Sequence, residues 1–185
     1  MKGKTALLLI AALLSVMFLV NADWERPSSP VARIFAHNNV SQDILSDNTW
    51  QNITFDDEDA NGTFITHSAI GVDNTTFTVQ LEGLYNIQLF ITVEDTAPNP
   101  VSNAAVELRR NEMSIDGSRV EVDLTRQNAE VEISTFAHMP LNVGDVITAL
   151  VITDTAATVG LSVHDTFGDT ESAVFEMIRI GEIGD

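Results

Sequence analysis

Short runs of alternating apolar and polar residues recur along most of the chain, and they constrain its fold more than any other feature. In the clearest runs, residues 77–81 and 85–93, the odd-numbered positions are apolar and the even-numbered positions are mostly polar. This period of two buries one face of a β-strand and leaves the other facing water. No segment after the N-terminal stretch shows a helical period over a dozen residues, so the chain is predicted to be all-β from Val31 onward.

Further apolar runs rich in Val, Ile, Thr and Phe continue the pattern; they cover residues 105–108, 113–115, 120–124, 131–136, 146–152, 161–163 and 174–180. Residues 109–112 are predicted to be a turn, and the more fully apolar run 146–152 is predicted to be buried on both faces. About eight to ten short strands in roughly 150 residues predict a two-sheet sandwich or a barrel. In a sandwich the final strand is expected in the core, beside the first.

The N-terminus is predicted to be a targeting segment. Lys2 and Lys4 precede the apolar run 5–22, and the chain turns polar immediately afterwards. Residues 1–22 are therefore interpreted as a signal peptide cleaved after Ala22, residues 23–30 as a linker and residues 31–185 as one domain. The alternative is an uncleaved membrane anchor, since about 17–20 apolar residues are enough to span a bilayer. Either interpretation places the domain outside the cell.

The charge excludes some classes of partner. Both lysines lie in the N-terminal segment, and after it seven arginines stand against 27 acidic residues, leaving a net charge of −20. Such a surface repels nucleic acid and anionic lipid, so we expect no nucleic-acid partner and membrane contact only through an uncleaved N-terminal segment. An acidic, lysine-free surface favours a halophilic source, because salt screens self-repulsion. The alternative is an acidic secreted protein from an ordinary organism.

Four Asn-x-Ser/Thr sequons agree with export and are candidate glycosylation sites: Asn39, Asn52, Asn61 and Asn74. Asn61 also belongs to a candidate calcium loop, in which Asp57, Asp59 and Asn61 would supply oxygen ligands before Gly62. The second half of the loop departs from the calcium pattern, because Ser68 stands where a bidentate Glu is needed. The alternative is a solvated acidic turn, and no other cofactor is predicted.

Catalytic motifs are scarce. The chain has no cysteine, and the four histidines (His37, His67, His138 and His164) lack metal-binding spacing. A cupin-like metal site would require them to converge in three dimensions. Arg109 and Arg110 form the only paired positive charge of the domain. They are expected to pair with Glu107 or Glu112 at a hairpin, and the alternative is an anionic sugar or a partner's carboxylate.

Several motifs in order resemble one family. They are residues 50–56, 61–64, the Gly-x-Tyr strand at 83–85, the run 108–111 ending in Asn, the Leu-x-x-Gly-Asp turn at 141–145, and the final strand 173–180. Together, over about residues 31–183, they resemble the tumour-necrosis-factor-like jelly roll, in the form used by complement globular heads and by bacterial and viral surface proteins. Residues 1–30 do not contain the Gly-x-x repeat of the collagen stalk that often precedes such heads.

The resemblance implies an antiparallel two-sheet jelly roll that assembles as a homotrimer, with aromatic residues near the three-fold axis. It places five residues in the trimer interface or core: Phe77, Tyr85, Ile87, Leu89 and Phe175. The function it implies is a non-enzymatic structural and binding module of a virion or cell surface, with a protein or glycan ligand. The alternatives are a secreted cupin-like or carbohydrate-active enzyme, and a membrane-anchored capsid or pilus subunit.

Overall fold

A computed structural model describes residues 32–61, 64–67, 74–163 and 171–183. The strands are, in chain order, β1 (Arg33–Asn38), β2 (Gln42–Asp43), β3 (Gln51–Asn52), β4 (Asp57–Asn61), β5 (Ile65–His67), β6 (Thr76–Val79), β7 (Gly83–Asp95), β8 (Ser102–Arg110), β9 (Met113–Ser114), β10 (Val120–Leu124), β11 (Val131–Leu141), β12 (Val146–Thr153), β13 (Val159–Leu161) and β14 (Ala173–Gly181).

The described residues contain no helix, and their strands form two antiparallel sheets. The predictions of an all-β chain and of a two-sheet antiparallel sandwich are therefore confirmed. Within these residues there is also no helix with the length and apolar character needed to cross a membrane. The predicted signal peptide or anchor and the predicted linker lie outside the described residues.

The first sheet, sheet A, is built around the 13-residue strand β7. One edge of β7 pairs with β11 from Gly83 to Val93. The other edge pairs with β14 over residues 84–91 and with β13 over residues 93–95. Beyond β14 the sheet continues through β1 to β4, and beyond β13 it continues to β2. The final strand β14 thus lies between β1 and β7, which agrees with the expectation that it joins the core beside the first strand.

The second sheet, sheet B, has the order β10-β8-β12-β6-β5, with β3 beside β12 and β9 beside β8. Strand β8 runs through Arg110, so the predicted turn at 109–112 is shorter than expected. Only Asn111 and Glu112 turn the chain, with φ angles of 52° and 69°. Strand β12 is not buried on both faces throughout, since Thr148 and Ile152 are only half-buried.

An aromatic cluster joins the two sheets in the core. The ring of Phe77 from sheet B stacks on that of Phe175 from sheet A, with centroids 3.9 Å apart and planes 9° apart. Phe55 packs against both rings at 5.4 and 5.7 Å. All three side chains are fully buried, and apolar burial of this kind is the main force that holds such layers together.

The Gly-x-Tyr motif forms a tight corner at the start of β7. A side chain at Gly83 would meet Nε of Arg179 at 2.3 Å and the carbonyl oxygen of Gly181 at 2.7 Å. Arg179 lies there because its Nε donates to the carbonyl oxygen of Glu82 at 2.9 Å. Two residues on, the buried Tyr85 hydroxyl donates to the carbonyl oxygen of Leu81 at 2.5 Å. The glycine is needed because strand β14 and its arginine approach so closely.

The Leu-x-x-Gly-Asp turn is organised by a buried carboxylate, Asp145. It accepts hydrogen bonds from the backbone N–H of Asn142 at 2.7 Å and from Nδ2 of Asn111 at 2.8 Å, and it lies 2.7 Å from Arg110. Burial acts to raise the pKa of Asp145, but these hydrogen bonds outweigh it and hold the pKa below its ordinary value. The turn before β12 is thereby tied to the turn after β8.

Candidate functional site

The outward side of sheet A carries apolar side chains that no other part of the described chain covers fully. Two phenylalanines stand out: Phe136 on β11 is 72% exposed and Phe90 on β7 is 40% exposed. Ser134 lies opposite Phe90 and Phe136 lies opposite Gln88, so the two rings are diagonal neighbours on one face. Other half-buried apolar side chains share this face, which we call the apolar face; they are Phe35, Leu84, Val174 and Ile178.

Strand β11 adds a second feature to the same side of the molecule. It is 11 residues long and, among the described strands, pairs only with β7. A long edge strand presents unpaired backbone N–H and C=O groups, which natural proteins usually cover or protect. The apolar face and this edge together form a surface suited to another protein chain.

The five aromatic and aliphatic residues assigned to the interface or core all lie inside a single chain. Tyr85, Ile87 and Leu89 point inward from β7, while Phe77 and Phe175 form the stack between the sheets. Each is fully buried in one copy of the chain. Their packing is complete without a neighbour, so any contact between copies depends on the alternate, outward residues instead.

The outward side of sheet B carries a cluster of charge around Glu107. This carboxylate is 0% exposed, although it lies opposite to the core residues on β8. It accepts hydrogen bonds from Nε of Arg109 at 2.6 Å, from a terminal nitrogen of Arg119 at 2.6 Å and from the Ser114 hydroxyl at 3.1 Å. Burial acts to raise the pKa of Glu107, but the hydrogen bonds from Arg119, Arg109 and Ser114 lower it below its ordinary value.

Arg109 and Arg110 are neighbours in β8, but their side chains point to opposite faces of the strand. Arg109 pairs with Glu107, as one of the two predicted partners, whereas Arg110 pairs with Asp145. Successive side chains of a strand point to opposite faces, so two adjacent arginines meet different carboxylates. The prediction of a hairpin ion pair is confirmed for Arg109, and for Arg110 the partner was not foreseen.

Trp50 completes the cluster. The Cζ atoms of Arg109 and Arg119 lie 5.6 and 5.0 Å from the centroid of its ring, within the range of cation–π attraction. Two hollows flank the tryptophan. One, of about 800 Å³, is lined by Trp50, Asn52, Thr76, Arg109, Glu112 and Thr148 among others. The other, of about 360 Å³, includes Trp50, Asn48, Arg119, Glu121 and Asp154 in its lining.

The candidate calcium segment lies in strand β4. Residues Asp57–Asn61 pair with β1 in an extended conformation, with a register shift opposite Phe35 and Ala36. The calcium hypothesis assumed a sharp turn instead. Gly62 and the side chains of Asp59 and Asn61 lie outside the described part of the structure, so calcium binding stays a prediction.

The sequons differ in accessibility. Asn39 follows β1 and is exposed, and Asn52 in β3 is exposed beside Trp50. Asn74 is half-buried, and its carbonyl oxygen accepts the N–H of Phe55 at 2.9 Å. The side chain of Asn61 is outside the description. Glycosylation of these four residues stays a prediction.

The three histidines that the structure describes lie on separate strands. Nδ1 of His37 is 3.1 Å from Oε1 of Glu171, and Nδ1 of His67 is 2.6 Å from Oε1 of Glu58. His138 is exposed on β11, and His164 is outside the described residues. Over the described ranges, no three His, Asp or Glu side chains are placed to hold a metal ion. The convergence of histidines that a cupin-like site requires is therefore absent from the described residues.

Four residues of these surfaces were not predicted from the sequence: Phe90, Phe136, Trp50 and Arg119. Phe90 and Phe136 interrupt the alternation of their strands, since each stands at a position that the pattern assigns to water. Trp50 lies among polar residues and outside any apolar run. Both irregularities are visible in the sequence and indicate exposed apolar groups.

Comparison with solved structures supports the fold. The chain resembles a structure described as Eiger TNF from S. frugiperda, with a TM-score of 0.54 and 14% sequence identity, over 85% of this chain and 97% of that one. No protein-family model matches the sequence, and no curated protein matches it either. At this identity the likeness concerns the fold, and it confirms the tumour-necrosis-factor-like jelly-roll architecture.

Proposed function

We propose that this chain is an exported, non-enzymatic surface module that assembles as a homotrimer and binds a protein or glycan. The observation that carries the proposal is the apolar face of sheet A, with Phe136 and Phe90 exposed beside the long edge of β11. Burying such side chains against another copy removes apolar surface from water. The jelly-roll fold supports the same arrangement, because trimeric binding modules are built on it.

High salt is part of the proposal. Each chain carries a net charge of −20 after the N-terminal segment, so three copies repel one another strongly at low ionic strength. In about 1 M salt the Debye length is only about 3 Å, and the apolar contact outweighs the repulsion. We propose that the protein acts at the surface of a halophilic cell or of a virus that infects one. It would then belong with the bacterial or viral surface proteins that have this fold.

Light scattering coupled to size exclusion in molar salt tests the assembly. We expect three times the chain mass of 20.1 kDa, less the mass of any signal peptide removed, and dissociation as the salt is lowered. Phe136→Asp should give monomers even in molar salt. Val101→Asp is the matched control, because Val101 is 88% exposed but lies in the loop between β7 and β8. A monomeric parent chain in molar salt would remove the trimer.

Export is tested separately, by intact-mass measurement of the protein from its native host. We propose cleavage after Ala22, which removes both lysines. Detection of Met1 or Lys2 in the mature protein would instead support a membrane anchor. The same spectra report any glycan at Asn39 or Asn52.

A further inference from the structure

Trp50 occupies an unusual place for a tryptophan. It is the only tryptophan among the described residues, and it lies half-buried on the outward side of sheet B instead of in the aromatic core. Strand β3 brings it there by pairing with β12, and β8 and β10 bring Arg109 and Arg119 to the same place. A tryptophan on a solvent-facing sheet, between two hollows, is typical of a binding surface.

The guanidinium groups of the two arginines beside Trp50 are fixed in position without a ligand. Glu107 fixes both guanidinium groups, and the indole ring packs against them. In the described contacts Arg109 donates to the protein through Nε only, which leaves its terminal nitrogens for a ligand. Donors that are already fixed lose little conformational freedom on binding, so each hydrogen bond contributes more to affinity.

The charge around Trp50 favours an uncharged ligand. The guanidinium groups of Arg109 and Arg119 lie at the centre, and the carboxylates of Glu112 and Glu121 line the two hollows. An anion meets the repulsion of these carboxylates and of the acidic domain as a whole, while a cation meets the two arginines. A ligand with hydroxyl groups both donates and accepts hydrogen bonds, so it can bind the arginines and the carboxylates at the same time.

We propose that the two hollows flanking Trp50 bind an uncharged oligosaccharide that crosses the tryptophan. Each hollow is lined by one arginine, and amide or hydroxyl side chains accompany it: Thr76 and Thr148 in the larger, Asn48 in the smaller. Trp50 lines both hollows. A ligand that occupies both hollows, of about 800 and 360 Å³, must be longer than one sugar unit.

This inference rests on the proposed binding role and gives it a ligand class. In a trimer that forms through sheet A, the outward side of sheet B stays accessible on every copy. Three sites on one particle raise the avidity for a polymeric glycan well above the affinity of one site.

Calorimetric titration with hexasaccharides tests the proposal on the full chain in molar salt. The uncharged probes are the hexamers of N-acetylglucosamine, galactose, mannose and glucose. The charged counterparts are the hexamers of glucosamine, which is cationic, and of galacturonate, which is anionic. We expect at least one uncharged hexamer to bind and both charged ones to bind more weakly than their uncharged counterparts.

Arg119→Gln is the decisive variant, because this side chain is 57% exposed and glutamine keeps a side-chain N–H donor beside Glu107. We expect affinity to fall about tenfold or more in Arg119→Gln and in Trp50→Ala. Arg126→Gln removes an exposed arginine elsewhere and should leave affinity unchanged. Thermal unfolding of each variant shows whether the fold is retained.

Three outcomes overturn the inference: no uncharged hexamer binds at about 10 mM, a concentration that detects even weak sites; only charged hexamers bind; or binding persists unchanged in Arg119→Gln and Trp50→Ala. Light scattering on the same samples tests trimer formation independently of sugar binding. If the chain is trimeric but binds no sugar, only the saccharide site is rejected. If monomers bind sugar, only the proposed trimer is rejected.

Discussion

Replacing Glu107 by glutamine is expected to destabilise the fold at neutral pH. Removing one partner of a buried ion pair costs about 3–5 kcal/mol when the remaining charge stays buried. Here the side chains of Arg109 and Arg119 are 25% and 57% exposed, so water can solvate part of each guanidinium once the carboxylate is gone. We therefore expect a loss of about 2–3 kcal/mol in the free energy of unfolding.

The loss should depend on pH with a definite sign. The pKa of Glu107 is lower in the folded chain than its ordinary value, because hydrogen bonds from the two arginines and Ser114 outweigh the effect of burial. Such a group contributes stability that is fully present above the ordinary pKa, about 4.3, and is lost as pH falls through the lower folded value. The difference between the parent chain and Glu107→Gln should therefore shrink in acid.

Urea unfolding at a series of pH values from about 7 to about 3 measures this difference. Glu121→Gln is the control, since it removes the same charge from an exposed position on the adjacent strand β10. It also corrects for the general relief of repulsion when an acidic chain loses negative charge. An equal loss for Glu107→Gln at both ends of the pH range, or an equal loss for Glu121→Gln, would show that the buried carboxylate does not stabilise the fold through its ion pairs.

Substitutions at three further positions test contacts in the fold. Gly83→Ala should lower the thermal midpoint, at a cost of about 1–3 kcal/mol, because its new methyl group meets Arg179; an unchanged midpoint would contradict that contact. Phe175→Ala should cost about 3–5 kcal/mol in urea, since its ring stacks between the sheets; a loss below about 1 kcal/mol would count against the stack. Asp145→Ala should cost about 2–4 kcal/mol at neutral pH and less in acid, because the pKa of Asp145 is lowered in the folded chain. Asp145→Asn should recover part of this stability in the same urea assay. An equal loss for both variants would count against a role for the shape of the Asp145 side chain.

The long strands were predictable because every second residue faces the core. The predicted runs 77–81 and 85–93 correspond to β6 and β7, and the run 131–136 lies within β11. Strands β2, β3 and β9 have only two residues each, which is too short to show any period. Their positions depend on pairing with distant strands.

The candidate sites were harder to foresee for the same reason. A period of two identifies residues that face the core, such as Tyr85 and Ile87, but it does not reveal what covers the opposite face. Trp50 and Arg119 lie far apart in the sequence and meet only because β3, β12, β8 and β10 are neighbours in sheet B. Two motifs of the resemblance were recognisable in the sequence, although the contacts that require them come from distant parts of the chain: Gly83 lies against Arg179, and Asp145 accepts a hydrogen bond from Asn111.

The position of β14 between β1 and β7 has a consequence for how the protein is made. Both neighbours leave the ribosome long before β14, and until it arrives their facing edges have no partner. A nascent or prematurely terminated chain therefore exposes two adhesive backbone edges and half of an aromatic stack. We therefore expect completion of sheet A to wait for β14, and fragments lacking this strand to aggregate.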